Sequence, residues 1–532
     1  MFRNLRPNHF KLASLLGSIN FLKEIYLYIP LIFTFGPRSF VAQDEGYYAL
    51  QSKWILDTGN WLAPMWWSVP TYDRTIGVQW LIAGFQKIFG QSIFVAHLPS
   101  IISGIISLFL TYKISCFLIG KSFSWLSPLV LSLSYLWIDN LHLATQDMPL
   151  LAVELFGIYS ILKASKSYKS KWFFFSGISI GIAFMLKSFM IFLPIIAIIP
   201  FLFSNSKDIF LSKYFYIGLI IGFLPFCIWI ALSLKVYGTE NVSLLYTKLL
   251  DLSTTSSYSR SPIYYFWNLP INTFPWCILA LLGIIRSFQS FSINKKLLII
   301  GYPFMLFVLL SLFNTKTPYY GLQLTPFIAI NATIAIKDIL HNDTQLSRSC
   351  LFIISLIGSL ILLIGFINLT FKFTDISSNF PQELLVTILL LTGFSLTSVY
   401  FARSKSTLLL ALFAGPYLSF ILATQNGLFT DRNPNFRKAY FTNDISHKLE
   451  NNYVNFIFPD YQLSSQSFSQ VVRLGLYSKN SGNIKLNPLS LREGEYAWIE
   501  DSKIKQLPIN SYDVIKDDPI FDPWTLIFYS KK

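Results

Sequence analysis

Apolar runs, each long enough to cross about 30 Å of hydrocarbon, recur along this chain from its start to about residue 423, separated by short polar turns. Beyond that point polarity rises abruptly, and the segment after Gln425 is the size of a small domain. The pattern predicts two parts: a membrane domain over residues 1–423 and a polar domain over residues 424–532. In the polar part, alternation predicts strands over residues 454–458, 496–500 and 524–529 and a helix over 465–477, together a compact α/β unit.

The polar turns within the membrane part are not equivalent. Residues 1–11, 120–123, 163–171, 204–213, 286–296, 337–349 and 402–406 are basic, which assigns them to the cytoplasmic face. Alternating crossings between them give about 13 transmembrane helices, all-α and polytopic, with the N-terminus inside and the polar domain extracytoplasmic. Residues 172–203 have basic flanks on both sides, which requires two short spans turning near Lys187. The outer face then receives residues 41–91, 139–147, 235–261, 314–320 and 372–381 as well as Lys187. Residues 44–58 predict a juxtamembrane helix on the surface, with Tyr47, Leu50, Trp54 and Ile55 on one face and Gln51 and Lys53 elsewhere, ended by Gly59-Asn60. Gly177 and Gly181, four residues apart, predict a close helix contact.

Composition agrees with a membrane protein. Of 532 residues, 53% are hydrophobic and 13% charged, and the mean hydropathy is +0.50. The net charge of +15 resides largely in the short turns, so it reads as a topology signal and not as a nucleic-acid footprint. The four cysteines lie in or beside apolar segments with no C-x-x-C, which indicates neither a disulfide framework nor a zinc cluster. The basic start resembles a signal peptide, but Lys23 and Glu24 interrupt the run that follows, so a retained first helix is expected.

The chemistry concentrates at the outer ends of the spans. Asp44 and Glu45 follow the first apolar segment directly, either as acids at a helix N-terminus or as a general base able to take a proton from a hydroxyl. Asp147, before Met148-Pro149, admits the same two readings. Asp73-Arg74, Lys187, Arg260 and Lys316 are isolated charges at comparable depth; singly each reads as a snorkelling side chain, and together the cations suit a phosphate or diphosphate. His142 with Asp139 and Asp147 lacks metal-ligand spacing, so no metal or other cofactor is assigned.

Residues 44–49, 59–64, 72–74 and 80–83 resemble the opening of the protein O-mannosyltransferase and aminoarabinose transferase superfamily, the ArnT-like enzymes. Further similarity lies at residues 94–99, Asp147-Met148-Pro149, residues 183–187, Arg260-Ser261-Pro262 with Tyr264-Tyr265, and residues 315–320. The resemblance implies a GT-C glycosyltransferase with its catalytic outer loop at residues 42–92, using a polyprenyl-phosphate sugar donor at the extracytoplasmic face of the cell membrane. It implies Asp44 as catalytic carboxylate with Glu45 and Asp147 beside it, and Arg74, Lys187, Arg260 and Lys316 near the donor phosphate. Tyr48, Asp73 and Tyr320 would contact substrate. The chain departs from aminoarabinose transferases at Tyr47, where they carry Arg, at Asp73-Arg74-Thr75-Ile76, where they carry Glu-Lys-Pro-Pro, and at Ser259, where a His is expected. The function expected is inverting transfer of one sugar to a lipid, glycan or protein hydroxyl. A lipid-linked sugar transporter or flippase, or an oligosaccharide ligase, are the alternatives.

Overall fold

The computed structural model describes residues 21–67, 69–167, 171–254, 259–371, 381–442, 445–459, 463–508, 511–516 and 518–530. The basic stretch at residues 1–11 and nearly all of the expected outer loop 372–381 lie outside the described residues.

Among the described residues seven helical stretches are long and apolar enough to cross a bilayer, or eight if Tyr264–Asn272 and Trp276–Ser290, which meet at 108°, form one span. Against the thirteen expected, several apolar segments form helices too short to count, such as Gln382–Ser398 with 17 residues. Only 22% of the most apolar window of Lys213–Glu240 and 33% of that of Gln345–Thr370 is buried, so long rows of Ile, Leu and Phe face outward. Water would not tolerate that exposure and lipid does: this is a multi-pass membrane protein.

Hydropathy runs without a break from Trp172 to Asn205, yet the chain reverses inside this stretch. Lys187 bonds Asp147 at one end of the Asp147–Ser167 helix, whereas Ser206 Oγ lies 2.5 Å from Ser165 Oγ towards its other end. The turn is made at Ser188, whose φ of +49° ends the Trp172–Lys187 helix. The chain therefore turns back near Lys187, where the basic flanks predict a turn.

Glycines set one helix crossing. A Cβ on Gly177 would stand 2.3 Å from Phe215 O, and one on Gly181 would stand 2.0 Å from the Gly222 carbonyl carbon. Reciprocally, Gly218 and Gly222 lie against Phe174 and Ile178. Trp172–Lys187 thus packs backbone to backbone on Lys213–Thr254, the close contact read from the Gly177/Gly181 spacing.

The C-terminal segment carries a five-stranded sheet in the order β4-β3-β5-β7-β6, with β3 Val454–Ile457, β4 Ser481–Lys485, β5 Tyr496–Glu500, β6 Tyr512–Lys516 and β7 Trp524–Tyr529. β3 pairs in parallel with β4 and β5, while β7 pairs antiparallel with β5 and β6. The three strands and the Ser465–Tyr477 helix lie where alternation predicts them; β4 and β6, short and polar, give no such signal. This unit is joined to the membrane part through its core. The β1 Met65–Trp66 and β2 Val69–Pro70 hairpin drives Trp66 and Trp67 into it: Trp66 stacks on Phe468 at 5.0 Å, and Trp67 meets Phe456 at 4.9 Å.

The expected surface helix needs correction. A π-helical turn, Ala42–Gly46, precedes a helix over Tyr47–Thr58, and Gln51, Ser52 and Lys53 are buried along with the apolar face. Its far side is covered by Ser465–Tyr477, far away in sequence: Gly475 packs on Leu50, and Val472 on Gly46. Gly59, with φ +70°, ends it as a left-handed cap.

Candidate active site

Asp44 lies in the Ala42–Gly46 turn with φ +50° and ψ −78°, a backbone state that in a non-glycine residue costs about 1–3 kcal/mol and needs its surroundings to hold it. Glu45 supplies the hold. Only 1% exposed, its carboxylate accepts from Val41 N at 2.7 Å and Ala144 N at 2.9 Å and faces His97 Nε2 at 2.7 Å. Gly46 N donates to Val41 O at 2.8 Å, and a Cβ on Gly46 would stand 2.5 Å from that oxygen. The Tyr47–Thr58 helix begins at Gly46 without a side-chain cap, so Asp44 does not serve as one. Its carboxylate, with the side chain 46% exposed, instead meets Arg74 Nη1 and the Tyr319 hydroxyl, each at 3.4 Å.

Arg74 is fixed from three sides. Its Nε donates to Asp73 Oδ2 at 3.1 Å, and its guanidinium lies 4.8 Å from the Tyr48 ring centre and 5.3 Å from that of Tyr47. Burial pushes the phenols of Tyr48, Tyr319 and Tyr320 above their ordinary range, so all three remain protonated donors at neutral pH.

The second acid is closed off by a cation. Asp147 opens the Asp147–Ser167 helix and bonds Lys187 Nζ; the two side chains are 8% and 7% exposed. Lys187 also lies 4.6 Å from the Tyr320 ring centre and 4.9 Å from that of Tyr319. Tyr319 therefore touches both acids' surroundings, by its hydroxyl at Asp44 and by its ring at Lys187. Beside this cluster an apolar cavity of about 750 Å³ is lined by Gly77, Trp80, Pro149, Val153, Met185 and Leu186 among others.

Residues 73–231 match the family model described as dolichyl-phosphate-mannose-protein mannosyltransferase. The chain is 22% identical over 393 residues to undecaprenyl phosphate-alpha-4-amino-4-deoxy-L-arabinose arabinosyl transferase 1 of Pseudomonas fluorescens, covering 71% of this chain and 70% of that protein. Its fold matches the crystal structure of ArnT from Cupriavidus metallidurans bound to undecaprenyl phosphate with a TM-score of 0.74, at 14% identity over 95% of this chain and 97% of that one. The apo state of the same ArnT matches with a TM-score of 0.69, at 16% identity over 97% of both chains. The chain has the fold of ArnT, GT-C, and is similar in sequence to ArnT-like glycosyltransferases.

In this ArnT-like chain Asp44, Tyr48, Asp73, Arg74, Asp147, Lys187 and Tyr320, all singled out from sequence, gather in one cluster. Arg260 and Lys316 do not join it through a direct contact in the described residues. Arg260 is exposed at the edge, 4.8 Å from the Tyr264 ring centre. Lys316, 2% exposed, donates to Arg260 O at 2.9 Å and Phe313 O at 2.5 Å, and burial pushes its ammonium below the usual lysine range. With the Ser259–Thr315 bridge, it pins residues 259–260 and 313–316 together. Glu45, read as catalytic, has its carboxylate turned inward onto backbone amides. Sequence reasoning passes over Tyr319, which stands next to a chosen position and is marked only by its aromatic character, and over His97, to which the sequence gives no partner. His142, Asp139 and Asp147 do not converge: His142 bonds Leu31 O at 2.9 Å, and Asp139 pairs with Arg432 at 2.7 Å. Among the described residues no group of three His, Cys, Asp or Glu side chains is placed to hold a metal ion.

Proposed function

We propose that this chain transfers a single sugar from a polyprenyl-phosphate donor to a hydroxyl-bearing lipid, glycan or protein at the extracytoplasmic face, with inversion at the anomeric carbon. The observation that carries the reading is Asp44: a strained, half-exposed carboxylate between Arg74 and Tyr319, beside a second acid and next to an apolar cavity. The similar arabinosyl transferase is named for undecaprenyl phosphate, and the similar ArnT is bound to it, which supports the donor class. The apolar cavity suits prenyl units, and the mouth of the cluster suits a sugar phosphate.

Asp44 takes the acceptor's proton as its oxygen attacks the anomeric carbon and the bond to the lipid phosphate breaks. Arg74 and Lys187 face the charge that develops on the departing phosphate, with Arg260 at the rim. Asp147 holds Lys187 in place, and the hydroxyls of Tyr48 and Tyr320 bind the sugar or phosphate alongside Asp73. Lys316 acts through the backbone, by holding Arg260. Residues 1–423 form the membrane transferase and residues 424–532 an extracytoplasmic unit that walls the loop at residues 42–92. About 13 membrane passages remain our reading of the basic turns, with the short helices completing the count.

The test is turnover by purified protein of polyprenyl-phosphate sugars, with products followed by mass spectrometry. Growth of an acceptor by one sugar mass supports the reading; transfer of a preassembled glycan, or movement of labelled lipid across vesicles without transfer, overturns it.

A further inference from the structure

Glu45 and His97 form a unit that the transfer step does not use. His97 Nδ1 lies 2.6 Å from Ile93 O, and Nε2 lies 2.7 Å from Glu45 Oε1. A carbonyl only accepts, so Nδ1 carries a hydrogen. The Nε2 to Oε1 contact then needs a second proton, whichever of the two atoms bears it, because two lone pairs at that distance repel. Both side chains are 1% exposed, and the Phe40 ring stacks on the imidazole at 5.4 Å.

We propose that Glu45 and His97 share one buried proton, and that this clasp positions Asp44 against Asp147. The carboxylate's other bonds go to the amides of Val41 and Ala144, three residues before each acid. One side chain thereby ties the two acid-bearing segments together and holds the strained turn. Arg38, Arg432 and Tyr477 act electrostatically on Glu45, and His142 lies near His97; Arg432 is already matched by Asp139. Without the imidazole the Glu45 carboxylate loses its buried partner and the clasp loosens. The inference rests on Asp44 as the reacting carboxylate, and both residues of the clasp are positioning residues.

The experiment compares His97→Leu, His97→Gln and Glu45→Gln with wild type, in full-length protein in detergent. His97→Leu is expected to lower kcat about 100-fold with KM within about threefold, the scale of a misplacement near 1 Å. Gln at 97 still donates to Glu45, so His97→Gln restores most of kcat. Independently of any substrate, hydrogen exchange at residues 41–46 and 144–147 rises in His97→Leu and Glu45→Gln while the rest of the protein keeps its protection. Unchanged exchange in those segments, or a kcat in His97→Gln no higher than in His97→Leu, overturns the clasp. A wild type silent towards every polyprenyl-phosphate sugar overturns the functional reading instead, and the exchange comparison still decides the clasp.

Discussion

Tyr319 and Asp44, 275 positions apart in sequence, meet through a hydroxyl and a carboxylate oxygen at 3.4 Å. The contact brings the turn at Ala42–Gly46 against the segment after residue 316, and Asp44 makes no helix cap. Asp44→Asn is accordingly expected to lower sugar transfer by about 10² to 10⁴ while donor binding stays intact, since an amide keeps the shape but cannot take the proton. Turnover of a polyprenyl-phosphate sugar at saturating donor measures it, and near-wild-type turnover would hand the role of base to Asp147.

The Asp147 and Lys187 pair is buried on both sides. Removing one partner leaves an uncompensated charge, so Asp147→Asn or Lys187→Gln should each cost about 3–5 kcal/mol of stability. The double variant should recover a good part of that loss. Thermal unfolding of the four proteins completes the cycle, and strictly additive losses would show that the pair is not coupled.

His142 has an environment that keeps it neutral: burial first, and then Arg38, push its pKa from 6.5 down to about 3. The folded protein refuses a proton that the unfolded chain accepts, so stability is unaffected above pH 6.5. It should then fall by about 1.4 kcal/mol per pH unit from there towards pH 3. His142→Gln, which can still donate to Leu31 O, should flatten that acid limb in melts taken from pH 7 to pH 4. An unchanged limb would assign the acid lability to other groups.

Gly222 faces the backbone of Ile178, where a Cβ would stand 2.7 Å from its carbonyl oxygen. Gly222→Val should separate the two helices and destabilise the protein by at least about 1–3 kcal/mol, the usual cost of overpacking. A melting temperature equal to wild type would mean that the crossing yields more easily than its geometry suggests.

Orientation is open to direct labelling. Lys187 is too buried to report it, so exposed positions serve: Leu486, 60% exposed in the C-terminal unit, and Leu346, 42% exposed near the basic turn. Leu486→Cys should react with an impermeant maleimide in outer-membrane-permeabilised cells, and Leu346→Cys only once the inner membrane is opened. The reverse pattern would turn the site to the cytoplasm.

Local signals were legible and long-range cover was not. Gly177 and Gly181 announced a tight crossing because only the absence of a side chain permits one, and alternation announced β3, β5 and β7. The charges at the outer ends of spans marked the site because charge near lipid is costly. Nothing local distinguishes Glu45 from Asp44, since one turn of backbone sends one carboxylate into the core and the other into the open. The burial of Tyr47–Thr58 depends on a helix that begins at Ser465, and Lys316 reads as a free cation until the carbonyls around it are known.

The hairpin tip at Trp66 and Trp67 has a consequence for how the enzyme is made. These rings emerge early in synthesis, but the aromatic surfaces that receive them, Phe456, Phe458 and Phe468, follow only after the Lys405–Gln425 helix. Until then the two rings have only Tyr47, Trp54 and each other to lean on. A nascent chain stalled after the Lys405–Gln425 helix would carry Asp44 and Asp147 and still leave both tryptophans without the rings that cover them from the C-terminal unit.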